Sequence, residues 1–319
     1  MWLSDGEATD VRRNGTEIAL DAGHPGAEFF IGARDEFGMI AFRAAQVAVA
    51  GPSGLVIRDL ASGRRVGVVT SLPDVRAVAT APGGSWFIGG NHRVQRVAPD
   101  GSVTEVSLPD TFSVFELTLI GAALYVGGGP TGGGPNLYRL HADTLALQSR
   151  WTIFGGGSVT TVEAAGSVLA VAGESPEVAL VDPGADGPVA LFPGAGGRLA
   201  WWTAYDKTRD RLLVSSEARE VFAWVCSERR LLGRIPGVGP VRVSPHGRWY
   251  AVSGINGVSV VDPSNLSVVC TLELGEIPES PYKPSINAVE WTPDGRIAVL
   301  MDDGRLVLRA FDGSAPTPG

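Results

Sequence analysis

The sequence has few cysteines, no basic cluster and no long apolar run. Its 319 residues include 2 cysteines, Cys226 and Cys270, which suit free thiols in a reducing compartment better than a disulfide framework. The net charge is −8 and no run of Lys or Arg exists, so a nucleic-acid partner is not expected. No stretch approaches the about 18 apolar residues that span a bilayer, and the first residues lack the apolar core of a secretory signal. We therefore expect a cytoplasmic protein without a membrane partner.

Recognisable catalytic and nucleotide-binding motifs are also missing. The chain contains no P-loop, G-x-S-x-G, H-E-x-x-H or C-x-x-C sequence. The stretch GGGPTGGG (127–134) contains a formal G-x-G-x-x-G, but no helix follows that would hold a phosphate. We interpret it as a flexible hairpin loop.

Glycine and proline are abundant. The chain has 43 Gly and 22 Pro, about a fifth of its residues, against an average of about 12%. No segment keeps a helical period, whereas short apolar segments with β-branched and aromatic residues alternate with Gly, Asp and Pro. This pattern predicts an all-β chain with almost no helix.

A repeat organises these segments. SLPDVRAV starts at Ser71 and SLPDTFSV at Ser107. A turn followed by a short apolar strand occurs seven times. Six of the turns are marked by a Gly or Asp, about 42 residues apart on average: Gly84, Gly121, Gly166, Asp210, Gly247 and Gly295. Periods of about 40–45 residues are typical of four-stranded propeller blades. The sequence therefore predicts a seven-bladed β-propeller with four antiparallel strands per blade.

The last repeat lacks a fourth strand. After INAVEWT, RIAVLMD and RLVLRAF, the chain ends in a polar tail, whereas TEIALDA (16–22) is a spare strand near the N-terminus. Giving that strand to blade seven covers an open sheet edge. We expect one propeller domain, 15–313, between an N-terminal tail, 1–14, and a C-terminal tail, 314–319.

Three segments resemble known propeller repeats. WTPDGRIAVLMDDGRLVLRAFDG (291–313) resembles a WD-repeat core, and VSVVDPSNLSVVCTLELG (258–275) and EVALVDP (177–183) resemble YVTN repeats. The Trp-Asp pair of WD repeats is replaced by Arg58-Asp59, Val181-Asp182, Val261-Asp262 and Phe311-Asp312. The resemblance implies a seven-bladed propeller.

A second resemblance covers a single blade. GSWFIGGNHRVQRVAPDGSVTEVSLPD (84–110) is similar to one blade of the virginiamycin B lyase family. That resemblance implies a propeller that opens a cyclic ester by metal-assisted elimination. None of that family's catalytic residues is matched here.

The innermost strands should line a central channel. Counting five residues back from each turn reaches Glu116, Arg242 and Glu290, with Thr161 and Ala79 at the same place in two other blades. These charges either polarise a substrate, hold a hard cation such as Ca²⁺ or Mg²⁺ between Glu116 and Glu290, or form a water-filled structural ring. Glu163 and Asp206 are further acids near the channel.

Histidines offer a second set of candidates. His24 and His92 lie in loops on the face where propellers usually bind ligands, and each could act as a base or ligand or have a structural role. We expect His141 and His246, in turns on the opposite face, to be structural. No His/Cys cluster predicts a transition metal, so apart from Ca²⁺ or Mg²⁺ no cofactor is expected.

The loop-rich face is the predicted binding surface. Loops 22–38, 71–75, 91–93, 200–203 and 276–284 should meet there, and their candidate binding residues are Arg34, Asp74, Trp201, Trp202, Tyr282 and Lys283. Aromatic and arginine side chains form most binding hot spots. The alternative is a hydrophobic plug that closes the channel mouth.

Two functions remain open. The first is a binding or scaffold protein that uses the loop-rich face for a protein partner or a small-molecule ligand. The second is a small-molecule lyase or lactone hydrolase at the channel mouth, with His24 or His92 and the channel acids. A histidine and a carboxylate within hydrogen-bond reach would favour the enzyme. An aromatic patch without such a pair would favour the scaffold.

Overall fold

The chain is built from β-strands. The computed structural model describes residues 2–3, 26–30, 39–51, 54–69, 72, 74–185, 187–255, 257–274, 286–301 and 305–311. These residues form 29 strands and one 3-10 turn, Phe154–Gly156, and none of them lies in an α-helix, let alone one long and apolar enough to cross a membrane. The prediction of an all-β chain is confirmed.

The first half of the chain forms three antiparallel sheets. Two strands come from the N-terminal region: β1 (Trp2–Leu3) and β2 (Gly26–Phe30). The first sheet contains β1 at its edge and four consecutive strands: β3 (Ile40–Arg43), β4 (Gln46–Gly51), β5 (Gly54–Asp59) and β6 (Arg65–Val69). The second contains β7 (Ala77–Thr80), β8 (Trp86–Gly89), β9 (Arg93–Val97) and β10 (Val103–Ser107). The third contains β11 (Phe112–Ile120), β12 (Ala123–Pro130), β13 (Leu137–His141) and β14 (Leu147–Trp151).

The second half continues the same meander. Eight strands form one extended sheet: β15 (Val159–Ala165), β16 (Val168–Gly173), β17 (Val178–Val181), β18 (Pro188–Phe192), β19 (Ala200–Asp206), β20 (Arg211–Ser216), β21 (Glu220–Val225) and β22 (Arg230–Pro236). Its two groups of four are joined by one residue pair, Gly173 with Ala200. The next sheet contains β23 (Val241–Val243), β24 (Tyr250–Ser253), β25 (Gly257–Asp262) and β26 (Ser267–Glu273). The last contains β27 (Ile286–Trp291), β28 (Ile297–Met301), β29 (Arg305–Arg309) and β2.

The first strand of each group faces a common centre. Each contacts the first strand of the next group in the order β3, β7, β11, β15, β19, β23 and β27, and β27 contacts β3. Residues from all of these strands line one cavity of about 450 Å³. The first strands therefore surround the centre, and the last strand of each group lies towards the outside.

Burial follows this radial order. The second strands are buried along nearly their whole length, as in β8 and β28, because neighbouring sheets cover both of their faces. Trp86 and Ile88 of β8, for example, pack with Leu55 and Val75 from the preceding sheet and loop. Outer strands such as β10 are mostly exposed. The core therefore lies between the sheets.

Five outer strands carry a β-bulge at an equivalent place. The register shifts opposite Ile57/Arg58, Arg139/Leu140, Leu180/Val181, Ala223/Trp224 and Val260/Val261. A bulge bends and twists an edge strand, which makes it a poor template for pairing with another chain. The bulges therefore protect the outer edges of these groups of strands against pairing with another chain.

The N-terminal region differs from the prediction in two places. The strand that pairs with β29 is β2, residues 26–30, so the prediction that residues 16–22 fill this place is wrong. Residues 16–22 themselves lie outside the described residues. Nine residues separate β2 from β3, close to the seven between β6 and β7, whereas TEIALDA would need a much longer connection. In addition, Trp2 and Leu3, expected in a tail, pair with Val69 and Val68 of β6.

The glycine run 127–129 is a strand, not a flexible loop. Gly127, Gly128 and Gly129 belong to β12, and the turn begins only after Pro130. A Cβ on Gly128 would lie 2.0 Å from the carbonyl oxygen of Ser113, and one on Gly129 would lie 2.5 Å from Ser158 Oγ. Glycine is required here because β12 passes too close to its neighbours for any side chain.

We expect Gly128→Ala to lower the free energy of unfolding by about 2 kcal/mol or more, because the new methyl group overpacks a rigid site. Gly83→Ala is the matched control, since a Cβ there meets no atom within 4 Å. Chemical denaturation of both variants measures the difference. Equal stability of the two variants would contradict the close packing described here.

Candidate functional site

The central cavity combines apolar walls with a small charged cluster. Its charged lining residues are Glu116, Glu163, Arg242 and Glu290, which come from β11, β15, β23 and β27. Apolar side chains such as Phe42 complete the wall. The predicted convergence of Glu116, Arg242 and Glu290 on the channel is thus observed, together with a third acid.

Arg242 is held by an ion pair with the neighbouring innermost strand. Its Nε donates to Glu290 Oε2 at 2.8 Å, and its Nη1 donates to the backbone oxygen of Val241 at 3.0 Å. Burial alone would lower the pKa of Arg242, but the carboxylates of Glu290, Glu163 and Glu116 outweigh it and raise that pKa. Arg242 therefore stays charged.

Glu116 is the most buried acid of the cluster. It is 8% exposed, and its Oε2 atom is buried without a hydrogen-bond partner. The Thr118 hydroxyl lies 3.0 Å from Glu116 Oε1 and 2.8 Å from the Val162 carbonyl oxygen, so it can donate to one of them at a time. Burial raises the pKa of Glu116 to about 8, although Arg242 and Thr118 oppose the shift. At neutral pH this carboxyl group is mostly protonated.

Glu163 resembles Glu116 in its environment. Burial raises the pKa of its carboxyl group to about 7, with Arg242 opposing and Glu290 reinforcing the shift. Counting five residues back from Gly166 predicted Thr161 at this place in the channel. The Thr161 hydroxyl lies 3.1 Å from that of Thr203 in a buried pair. The sequence had placed Glu163 near the channel, and strand alternation supports this, since Glu163 is two residues beyond Thr161 and thus on the same face.

Among the described residues, the cluster combines three acids with one arginine. The described residues contain no group of three or more His, Cys, Asp or Glu side chains placed to bind one metal. The guanidinium of Arg242 already supplies a positive charge beside Glu290. A Ca²⁺ or Mg²⁺ ion between Glu116 and Glu290 stays a prediction.

Four of the innermost strands carry a β-bulge near their N-terminal ends. The bulged residues are Phe115, Thr160, Trp201 and Asn287. A bulge turns a side chain away from the direction that regular alternation would give it. Each of the four side chains is partly exposed. We call Phe115, Thr160 and Trp201, together with Arg76 and Glu217, the mouth surface.

Contacts join the mouth surface in two parts, each of which spans two neighbouring groups of strands. The Arg76 guanidinium lies 6.0 Å from the centre of the Phe115 ring. Thr160 Oγ1 donates to the backbone oxygen of Trp201 at 2.5 Å. Trp201 Nε1 lies 3.4 Å from Glu217 Oε1. Aromatic rings therefore alternate with charged groups at one end of the channel.

Asp74 lies at the edge of the mouth surface. Its Oδ2 accepts hydrogen bonds from Arg76 at 2.8 Å and from Asn91 at 3.1 Å. Asn91 in turn pairs through its backbone with Ser113 of the next sheet. His92, in a left-handed conformation, donates its backbone N–H to Phe112 O at 2.7 Å. Asp74 and His92 thus help to connect the second and third sheets at this end.

The remaining candidates fall elsewhere. His24, Arg34, Tyr282 and Lys283 lie outside the described residues. Trp202 is partly buried, as Trp201 is, but it packs against the core between β20 and β24.

Asp206 and the other histidines have no place in the cavity. Asp206 is 1% exposed and accepts hydrogen bonds from Tyr250 at 2.9 Å and Arg209 at 3.0 Å, which ties two neighbouring groups of strands together. Its assignment to the channel is wrong because its side chain points between the sheets. His246 is exposed, and His141 Nδ1 accepts the backbone N–H of Asp143.

Comparisons with known proteins identify the architecture. No protein-family profile matches the sequence, and no curated protein matches it. The WD40 β-propeller domain of Doa1 is similar in structure, with a TM-score of 0.72, 14% identity and coverage of 90% of this chain and 96% of that chain. A chain in the structure of the mitotic checkpoint complex gives a TM-score of 0.74 at 15% identity, with 97% of both chains covered. The chain folds as a WD40-like β-propeller.

The propeller fold explains the position of both candidate sites. The cavity is the central channel of the propeller, and the mouth surface is the end of that channel at which the innermost strands begin. At these low identities the likeness shows the fold and carries no function.

We expect the stability of this propeller to fall as pH rises from about 5 to about 8. The pKa values of Glu116, about 8, and Glu163, about 7, lie above the value of about 4.3 for an unfolded Glu, so the folded state holds these protons longer and loses relative stability as they dissociate. Glu116→Gln should therefore gain stability relative to wild type at pH 8.5 but not at pH 5, as measured by chemical denaturation.

Glu228→Gln is the control, since Glu228 is 56% exposed and pairs with Arg230 at the surface. If Glu116→Gln and Glu228→Gln show the same pH dependence, Glu116 is not a buried titrating group.

Proposed function

We propose that this protein is a binding propeller that holds a protein partner on the mouth surface. The observation that carries the proposal is the bulge-directed placement of Phe115 and Trp201, flanked by Arg76 and Glu217, at the channel end. Partly exposed aromatic and arginine side chains next to charged groups are the composition of binding hot spots. A hydrophobic plug that only closes the channel mouth would not need charged groups among the aromatic rings.

Two further observations support a binding role. The surface is formed by strand ends and bulges of a rigid scaffold, and sites on such elements hold their side chains more firmly than sites on long loops. One structural neighbour was solved within the mitotic checkpoint complex, an assembly of proteins. The neighbour's own partners are not transferred to this chain.

The second candidate function is a small-molecule lyase or lactone hydrolase in the channel. It is supported by the resemblance of residues 84–110 to one blade of the virginiamycin B lyase family. The expected sign of such an enzyme is a histidine paired with a carboxylate, and within the described ranges no histidine side chain is hydrogen-bonded to an acid. We therefore place binding first.

The number of blades and the closure of the propeller are also part of the proposal. We infer seven blades, with the innermost strands β3 to β27 in a closed circle and the N-terminal strand β2 completing the seventh blade. The propeller would then occupy residues 15–313 as one domain, with residues 2–3 added at the edge of its first sheet. A cytoplasmic location is supported by the low cysteine content, two residues in 319, which suits a reducing compartment.

We expect Trp201→Ala and Phe115→Ala to weaken partner binding about thirtyfold each, equivalent to about 2 kcal/mol, while the propeller stays folded. Affinity capture with the wild-type chain, followed by mass spectrometry, would identify the partner. Calorimetric titration of the purified partner then gives the affinity of each variant.

His246→Ala, at an exposed turn on the opposite face, is the control and should bind like wild type. If all three variants bind equally, the mouth surface is not the binding site. The alternative of a hydrophobic plug predicts lower melting temperatures for the two aromatic variants with unchanged affinity.

We expect deletion of residues 1–30 to cause aggregation or a large fall in melting temperature, because it exposes the backbone edge of β29. Deletion of residues 1–22, which leaves β2 in place, should have a much smaller effect. Size-exclusion chromatography and thermal unfolding measure both. A monomeric 1–30 deletion with the wild-type melting temperature would show that β2 does not close the propeller.

A further inference from the structure

The central channel has the dimensions and the charge of a ligand site that is separate from the mouth surface. Its volume of about 450 Å³ lies within the range of about 300–1,000 Å³ common for small-molecule pockets. Three of its charged lining residues are acids, and Arg242 is the only basic residue among the described residues that line it. The channel therefore has more negative groups than positive ones.

Hydrogen-bond partners are unevenly distributed among the four charged side chains of the channel. Arg242 uses its Nε on Glu290 and its Nη1 on Val241 O, so its hydrogen bonds are directed to that side of the channel. Glu116 is 8% exposed, lines the cavity, and has a buried Oε2 atom with no partner. A buried carboxyl oxygen without a partner is costly, and a donor from a ligand would satisfy it.

The charged and titratable groups around Glu116 define what it can bind. They are Glu163, Arg242, Glu290 and Tyr205, each from a different innermost strand. Tyr205 donates to Asp210 at 2.8 Å, and burial raises the pKa of its hydroxyl, so it stays neutral. An anion would meet three acids and one guanidinium, which is already ion-paired with Glu290. A cation that donates hydrogen bonds fits Glu116 and Glu163.

The type of cation follows from the rest of the wall. A divalent metal ion needs several converging oxygen ligands, and the described residues provide no such group. The wall next to Glu116 contains Leu117 and Leu119, and Phe42 lines the same cavity. Aliphatic carbon of a ligand would pack against these side chains and lose its contact with water.

We propose that the channel binds a small organic monocation, a primary ammonium or guanidinium group on a short aliphatic chain, with its charged end at Glu116 and Glu163. The ligand donates to Glu116 Oε2 and offsets part of the negative charge that the cluster carries when its three carboxyl groups are ionised. Binding favours the ionised carboxylates, so it releases protons at neutral pH.

Isothermal titration of the full chain with n-butylammonium tests the proposal, with 1-butanol and Mg²⁺ as comparison ligands. We expect saturable 1:1 binding of n-butylammonium and weaker binding of 1-butanol by at least tenfold. The affinity should rise on the order of tenfold between pH 6.5 and pH 8.5, because the pKa values of Glu163 and Glu116 are about 7 and about 8. Lack of binding at pH 8.5, equal binding of the alcohol, or a preference for Mg²⁺ would each overturn the proposal.

Variants locate the site. Glu116→Gln and Glu163→Gln should each weaken n-butylammonium binding at least tenfold at pH 8.5 and reduce its pH dependence, whereas the exposed Glu228→Gln removes the same charge and should change neither. Thermal unfolding shows whether each variant is folded. If one channel variant fails to fold, the other still tests the site. If folded Glu116→Gln and Glu163→Gln proteins bind like wild type, the channel is not the site.

Discussion

Each sheet of this protein is apolar on both faces, so it needs a neighbour on each side. Second strands such as β8 and β28 are buried along their whole length and cannot face water. Stacking in a row would leave two such faces open, whereas a circle leaves none. The circular contact order from β3 through β27 and back to β3 satisfies this requirement. A circle of innermost strands cannot close to a point, so a channel remains, and its lining carries a cluster of three acids and one arginine.

Much of this architecture could be predicted from the sequence. The spacing of turns such as Gly84, Gly121 and Gly166 reflects one blade per repeat, and both the all-β class and the propeller fold follow from it. The same spacing placed Glu116, Arg242 and Glu290 in the channel, because an innermost strand has an almost fixed length before its turn. Local periodicity is informative wherever the strand is regular.

The errors arise where regularity ends. A bulge adds one residue to a strand, so counting through Phe115 or Trp201 cannot give the direction of the side chain. Trp201 and Trp202 look equivalent in the sequence, yet Trp201 approaches Glu217 and Trp202 packs against the core. The strand beside β29 was misassigned because apolar alternation in TEIALDA and in GAEFF is similar, and the observed pairing of GAEFF with β29 decides between them. The partners of Asp206 are distant in sequence, at Tyr250 above all, and no local pattern reveals them.

The backbone pairs at the channel end have a consequence for any partner. Asn91 pairs with Ser113, and Gly173 pairs with Ala200, so main-chain contacts join neighbouring blades on both sides of the mouth. Phe115 and Trp201 each follow one of these junctions closely in the chain. A frame joined in this way has little conformational freedom to lose, and the entropy of ordering a surface is a large part of what opposes association. Because the mouth surface is preorganised, a small interface there would bind with an affinity that flexible loops of the same area would not reach.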